Sequence, residues 1–276
     1  MSGLEGKVAF ITGVARGQGR SHAVRLAREG VDIIGVDICA DIPSMSYPNA
    51  SEADLEETVR LVEKEGQRIV ARKADVRNFE ELSAAFQEGY KEFGRVDIIL
   101  ANAGVVRLGP ETDNFLDEWK DTIDINLTGA YHTVRAALPA MREAGVGGSI
   151  VLTSSTAGLK ASPSRDASGT AYTAAKTGLV GLMKSLAGNL APEWIRVNTI
   201  HPTGVISGMT QNAAMAALME EAKRGGKNAV QGMQNALPVE ILEPEVISNA
   251  IAFLVSDEAK YITGVAMPVD AGFAIV

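Results

Sequence analysis

Residues 7–19 read KVAFITGVARGQG, and the organisation of this stretch decides the fold. Val8-Ala9-Phe10-Ile11 is an apolar run of strand length without polar alternation, the pattern of a strand buried on both faces. Thr12-Gly13 ends the run, glycine returns at Gly17 and Gly19, and helical spacing begins with Val24, Leu26 and Ala27. Glycine at these points lets the chain turn sharply and lets a pyrophosphate approach the free N–H groups of a helix N-terminus. The spacing is T-G-x-x-x-G-x-G rather than G-x-G-x-x-G, so the loop alone also fits an ordinary tight turn. Its surroundings favour the nucleotide. A second apolar run over 31–36 ends in Asp37, about 20 residues past the loop, where a carboxylate can accept both ribose hydroxyls of an adenosine.

Further apolar runs lie at 69–71 (continuing to Asp75-Val76), 96–100, 149–153, 195–200 and 265–269. Helical patterns separate them: Leu55, Val59 and Val62 up to a stop at Gly66, a helix over 79–93 capped by Asn78, a long helical region over 113–142, and a helix over 170–190. About seven short strands alternating with helices predict a single α/β domain over 1–276, a parallel, doubly wound sheet with helices on both faces. In such sheets ligands bind beyond the strand C-termini. Thr12-Gly13, Asp37, Asp75, Asn102, Ser154-Ser155 and His201-Pro202 all fall at such ends. The polar segment 40–49 reads as a surface flap.

Composition narrows the function. A net charge of −8 without a basic cluster argues against a nucleic-acid surface. No apolar run reaches membrane-spanning length, and the N-terminal MSGLEGK has no signal-peptide character, so a cytoplasmic protein is expected. The single cysteine, Cys39, excludes an intrachain disulfide and reads as a small apolar filler near the adenosine end. The three histidines lack metal-ligand spacing, and no metal is expected.

Tyr172 and Lys176 stand four apart near the start of a helix whose Leu179, Leu182, Met183, Leu186 and Leu190 face a core, so both side chains share one face. Lowering a phenol's pKa by about three units takes roughly 4 kcal/mol. One ammonium at about 4 Å in an effective dielectric near 20 supplies that magnitude. The pair is thus a physically adequate base, although the spacing alone equally describes an exposed i,i+4 pair. Ser154-Ser155, at the end of the fifth strand, places a hydroxyl where it could bond a substrate oxygen and the tyrosine oxygen together. No G-x-S-x-G turn surrounds it, which favours an oxyanion-type donor over a nucleophile.

Together, Thr12-Gly13-x-x-x-Gly17-x-Gly19, Asp75-Val76, Asn102-Ala103-Gly104, Asn126, Ser155, Tyr172-x-x-x-Lys176 and Pro202-x-Gly204 resemble the short-chain dehydrogenase/reductase family, in its order and over nearly the whole chain. The resemblance implies a Rossmann-type fold and a catalytic tetrad. Tyr172 would be the general acid/base and Ser155 would hold the reacting oxygen. Lys176 would depress the tyrosine pKa and bind the nicotinamide ribose, and Asn126 would hold a relay water or act as a helix-bending amide. Thr12 would brace the turn, Asn102 the central sheet, and Asp75-Val76 would border the adenine. The expected cofactor contacts are Gly13, Arg16, Gly17, Gln18 and Gly19 in the loop; Asp37, Ile38, Cys39, Asp75 and Val76 around the adenosine; Asn102, Ala103, Gly104 and Thr153; Tyr172 and Lys176; and Pro202, Gly204, Val205 and Ser207. Asp37 would repel a 2′-phosphate, favouring NAD over NADP, while Arg16 is a competing hint toward the phosphate.

Two departures stand out: Ala101 replaces the family's first asparagine, and the Ser155–Tyr172 stretch is lengthened by residues 160–169, including Pro163, Arg165 and Asp166. ARGQGRSHAVRLA, VDICADI, TSSTAGLK and HPTGV further resemble the carveol-dehydrogenase-like branch thought to work with the redox carrier mycofactocin. The branch implies an insertion (here 40–49) covering the adenosine end, a slowly exchanging NAD, and a secondary alcohol substrate. Residues 206–237, with Met209, Met215, Met219 and Met233 and a Gly225-Gly226 break, would form a substrate lid. The apolar C-terminus hints at a subunit contact, and a homotetramer is the family expectation. A 3-ketoacyl or sugar reductase, or a non-catalytic nucleotide-binding sensor, are the competing readings.

Overall fold

A computed structural model describes residues 2–160, 164, 166–223 and 234–276. Its strands are β1 (Val8–Thr12), β2 (Asp32–Asp37), β3 (Ile69–Lys73), β4 (Ile98–Ala101), β5 (Gly148–Thr153), β6 (Ile195–Pro202) and β7 (Ala266–Val269). They form one seven-stranded parallel sheet in the order β3-β2-β1-β4-β5-β6-β7. The order reverses between β1 and β4, which opens a crevice at their carboxyl ends. The helices among the described residues are α1 (Gly17–Ala27), α2 (Glu52–Lys64), α3 (Phe79–Phe93), α4 (Phe115–Ile123), α5 (Gly129–Ala144), α6 (Ala167–Leu190), α7 (Ala213–Lys223) and α8 (Pro244–Val255). None is long and apolar enough to cross a membrane.

Strand side chains alternate across the sheet and feed two cores. Phe10, Ile34, Ile99 and Ile150 meet α3, α5 and α6 through Phe86, Val134, Leu179 and Met183. Ile11, Ile33, Leu100 and Val151 meet α1, α2 and α8 through Leu26, Val62, Ile247 and Ile251. Phe10 is fully buried with its ring centroid 5.0 Å from that of Phe86. Truncating such a side chain to alanine costs about 3–5 kcal/mol. At the far edge of the sheet the Asp97 carboxylate accepts from Val8 N at 2.9 Å, fastening β1 to the β4 entry 89 residues away.

Local signals explain most boundaries. Ser51 and Asp54 form a reciprocal capping box at the start of α2. Asn78 caps α3 by accepting from Glu81 N, and Gly94, at φ 72°, ends it. The sequence expectation differs from the fold in four places. β3 stops at Lys73, because Asp75 accepts from Arg77 N and pairs with the Arg77 guanidinium, turning the chain off the sheet before Val76. The region 113–142 is not one helix: α4 and α5 are joined by a π-helical turn at Asp124–Thr128. The segment 40–49 is no loose polar flap, since Ile42, Ser44 and Tyr47 are buried. Finally α8 escaped the reading of the sequence, although Pro244 and the Ile247–Ile251–Leu254 spacing mark it.

Candidate active site

The crevice is lined by the β1–α1 loop, the ends of β2 to β5, the start of α6, the 40–49 insertion and residues 207–209. Gly13 takes φ +70°, and a Cβ there would sit 2.9 Å from Ala103 Cα. A Cβ on Gly19 would lie 1.9 Å from Gly13 O, so the turn closes only around a glycine. The first N–H groups of α1, at Gly17, Gln18 and Gly19, have no partner within the helix and line the crevice. Thr12 Oγ1 accepts from Asn102 N (3.3 Å) and Ala103 N (3.4 Å), and Asn102 Nδ2 donates to Thr12 O (3.1 Å) and Gly13 O (3.3 Å). Thr12 and Asn102 therefore tie the β1 turn to the end of β4.

Asp37 stands at the tip of β2, its carboxylate accepting from Ala15 N (3.0 Å) and Cys39 N (3.3 Å). Burial pushes its pKa above the ordinary carboxyl value, against these N–H donors and the nearby Arg16 cation. Arg16 does not turn toward Asp37 as a phosphate receptor would. Its Nη2 donates to Pro48 O at 2.6 Å, and its guanidinium lies over Gly208, where a Cβ would meet Cζ at 2.4 Å. Arg16 thus joins the insertion to the segment after β6. The insertion is fastened elsewhere as well: Ser44 donates to Asp121 (2.6 Å), Tyr47 Oη accepts from Val106 N (3.4 Å), and Ser46 Oγ accepts from Leu108 N (3.1 Å). Asp121 also pairs with Arg77, which grips Asp75 beside the crevice.

At the other end of the crevice, Ser154 and Ser155 have separate partners. Ser154 donates its hydroxyl to Lys176 O (2.8 Å) and braces α6. Ser155 caps the short 3₁₀ turn Thr156–Gly158 by accepting from Ala157 N (3.2 Å), and its hydroxyl is the neighbour that partly offsets the burial of the Tyr172 phenol. Lys176 is buried, its Nζ donating to Thr153 O (2.8 Å) and lying 5.4 Å from the centre of the Tyr172 ring. Asn126 sits in the π-helical turn with Nδ2 donating to Val105 O (2.7 Å) and Thr122 O (2.8 Å), while its buried Oδ1 has no partner. The bond to Thr122 fits the helix-bending reading, and the unpartnered Oδ1 fits a bound water. A Cβ on Gly104 would be 2.8 Å from that Oδ1 and 3.3 Å from Lys176 Nζ, so the two polar atoms face one gap.

Burial, rather than mutual attraction, governs the charges here. The Tyr172 phenol is pushed above its usual value by desolvation, only partly offset by the Ser155 hydrogen bond. Desolvation brings Lys176 down to about 7. The expected depression of the Tyr172 pKa by Lys176 is therefore absent in the chain by itself. A lysine this poorly solvated holds its proton weakly, and among the described residues no carboxylate offsets its burial.

Of the residues expected around a cofactor, most line this one crevice; Cys39, Pro202, Gly204 and Val205 do not. Cys39 is turned into the α1/α2 core, its thiol pushed up to about 12 by burial. Val205 is buried and its strand-like bridge to Leu242 shapes the segment behind the crevice. Ser155 is not among the lining residues either, although its neighbour Ser154 and Tyr172 are. Residues of the insertion that were not singled out, Ile42, Tyr47 and Asn49, line the crevice too. Two apolar side chains inside an otherwise polar segment, Ile42 and Tyr47, were the available signal. Asp166 caps α6 by accepting from Gly169 N (2.7 Å), whereas Pro163, Arg165, Gly225-Gly226, Met233 and the side chain of Met219 lie outside the described residues.

Comparison with known proteins gives a consistent result. Residues 13–274 match a family model described as enoyl-(acyl carrier protein) reductase. An uncharacterised oxidoreductase of Mycobacterium tuberculosis is 52% identical, over 98% of this chain and 97% of that protein. The (−)-trans-carveol dehydrogenase of Rhodococcus erythropolis is 45% identical over 99% of both. The crystal structure of carveol dehydrogenase from Mycobacterium avium in complex with NAD superposes with a TM-score of 0.91 at 46% identity, covering 100% of each chain.

Proposed function

Because the chain belongs to the short-chain dehydrogenase/reductase family, we propose that it is an NAD-dependent dehydrogenase of an apolar secondary alcohol, carveol-like in class, with Tyr172 as general base. The observation that carries this reading is the convergence of Ser155, Tyr172 and a buried Lys176 at the carboxyl edge of the sheet, beside a crevice suited to a dinucleotide. The glycine turn and the free α1 N–H groups fit a pyrophosphate, and Asp37 fits a ribose diol but not a 2′-phosphate. Arg16, engaged by Pro48, leaves Asp37 as the group that decides against NADP.

NAD, when bound, supplies the hydride acceptor and a positive pyridinium ring. Ser155 holds the alcohol oxygen through its hydroxyl, and Tyr172 takes the alcohol proton onto its phenol oxygen. Lys176 stabilises the phenolate and binds the nicotinamide ribose, and Asn126 Oδ1 orders a water that returns the proton toward solvent. Since burial alone raises the Tyr172 pKa, the phenolate needs both the Lys176 ammonium and the cofactor's charge, so base strength is coupled to cofactor binding. The insertion at 40–49 covers the adenosine end and slows NAD exchange, mycofactocin being the carrier that reoxidises the cofactor in place. The segment 206–237 forms the lid over the alcohol. The protein works as a single domain and as a cytoplasmic homotetramer, a reading supported by Phe115, Leu116 and Trp119, which α4 leaves exposed.

A panel of terpenoid alcohols, sugars and 3-ketoacyl thioesters tests the substrate class; the thioesters belong in it because of the acyl-carrier description of the matching family model. Fastest turnover on a thioester or sugar replaces the alcohol reading by the reductase one. Native mass spectrometry reports co-purified NAD and subunit number together, and a protein that arrives free of NAD speaks against the slow-exchange, mycofactocin-coupled branch. Unchanged turnover in Tyr172→Phe rejects the mechanism.

A further inference from the structure

We propose that His201 is a positioning residue that sets the orientation of Ser155. The inference rests on Ser155 being the holder of the substrate oxygen. The β5–β6 ladder pairs Thr153 with Ile200, and Ser154 N still donates to Ile200 O at 2.8 Å. Ser155 is the first residue past that ladder, at φ −164° and ψ 164°, before the chain winds into the 3₁₀ turn. Its backbone carbonyl has left the sheet and needs other donors. It receives two: Gly158 N at 2.9 Å and His201 Nδ1 at 2.8 Å.

A carbonyl oxygen only accepts, so Nδ1 carries the imidazole proton. Nε2 is then an acceptor, and the Thr199 hydroxyl lies 2.8 Å from it. Tautomer and ring plane are fixed from both sides on a wholly buried side chain. Burial also holds the His201 pKa below its ordinary value, so the ring stays neutral and keeps Nε2 free to accept. The hydroxyl of the same residue accepts from Ala157 N and is the polar neighbour of the Tyr172 phenol. His201 therefore grips the peptide of a residue whose side chain points at the reaction. Removing the imidazole leaves the carbonyl to Gly158 alone and frees the peptide to rotate, carrying the hydroxyl off its line to Tyr172.

The test is a double-substitution cycle of His201→Ala and Ser155→Ala, assayed with NAD and the fastest alcohol of the terpenoid panel. Alone, His201→Ala is expected to lower kcat about tenfold, the scale of one lost hydrogen bond, with KM nearly unchanged. In the Ser155→Ala background the same change is expected to alter kcat by less than about twofold, because its route to the reaction is already gone. Independent effects that multiply would mark a merely structural residue and overturn the proposal.

His201→Asn, whose amide nitrogen falls near the place of Nδ1, is expected to recover most of the activity. His201→Gln, which reaches toward Thr199 instead, is expected not to. The reverse order overturns the proposal even if the alanine variant does not fold. Nitrogen-15 NMR of the histidines needs no substrate: a proton on Nδ1 of His201 is expected, and one on Nε2 overturns the geometry. Loss of the chemistry itself is read separately, from Tyr172→Phe.

Discussion

The two ends of the crevice share one sheet edge but hold their charged groups differently. At the adenosine end Asp37 accepts two backbone N–H groups, Asn102 donates twice to the β1 turn, and Asp75 is gripped by Arg77. At the reaction end Asn126 Oδ1 has no partner, and Lys176 is buried without a carboxylate. The first arrangement holds its carboxylates in fixed bonds, although Gln18 Oε1 and Asn49 Oδ1 stay unpartnered there. The second leaves desolvated groups whose protonation and bonding are completed only by what binds, the arrangement expected of groups that change protonation during a reaction.

The largest effect that sharpens this contrast is expected from Tyr172→Phe. It removes only the phenol oxygen, so turnover should fall by about 10²–10⁴-fold, while calorimetry shows NAD still bound. If instead NAD binding is lost, the two ends are not separable. Asp37→Ala acts on the other end. It should weaken NAD by about 10- to 100-fold, the worth of a charge-assisted hydrogen bond, and narrow the gap between NAD and NADP. Titrations with both cofactors measure this, and an unaltered NAD/NADP ratio would deny Asp37 its selecting role.

A third effect concerns stability and pH. The folded pKa of Lys176, about 7, lies below the ordinary 10.5 of an exposed lysine. Between those values the unfolded chain binds more protons than the folded one, so this lysine's contribution to stability improves as pH rises from about 7 toward 10.5. Below about 7 both states are protonated and the burial penalty is fully present. Lys176→Met should therefore raise Tm relative to the parent most at and below neutral pH, with the difference shrinking above it. A constant difference across that window would mean that the lysine is not desolvated. The smallest effect is expected from Ser154→Ala. It removes a buried bond to Lys176 O worth about 1 kcal/mol, shifting Tm by a few degrees while kcat stays within about threefold. A larger loss of kcat would give Ser154 a share in the reaction itself.

What could be read from the sequence follows from how local each cause is. The strands announced themselves because residues such as Val8 to Ile11 are apolar on both faces, and the start of α3 followed from Asn78. Ser155, Tyr172 and Lys176 were legible because their spacing is fixed by one strand end and one helix. The helix break at Asp124–Thr128 was not, since Asn126 there also bonds Val105 O, a loop carbonyl 21 residues away. The insertion was misjudged for a similar reason. Ile42 and Tyr47 were the only local signal, and the groups that hold Tyr47 and Ser44, Val106 N and Asp121, lie far along the chain. The Tyr172 pKa was expected in the wrong direction for the chain by itself, because pairwise attraction was weighed and desolvation was not. His201 stood out in the sequence as part of His201-Pro202 at a strand end and of HPTGV, but neither tied it to Ser155, 46 residues away.

The central pairing of β1 with β4 has a consequence for how the protein comes into being. Phe10 lies against Ile99, so the first strand to leave the ribosome has one neighbour soon and the other only after some ninety more residues have been made. Until then its inner edge is an open template, and a truncated chain ending before β4 carries the glycine loop without the Asn102 bonds that tie it to the β4 end. Nascent chains halted near residue 95 should therefore be sticky and protease-sensitive, and extension past Ala101 should be the step at which the amino-terminal half first becomes self-contained.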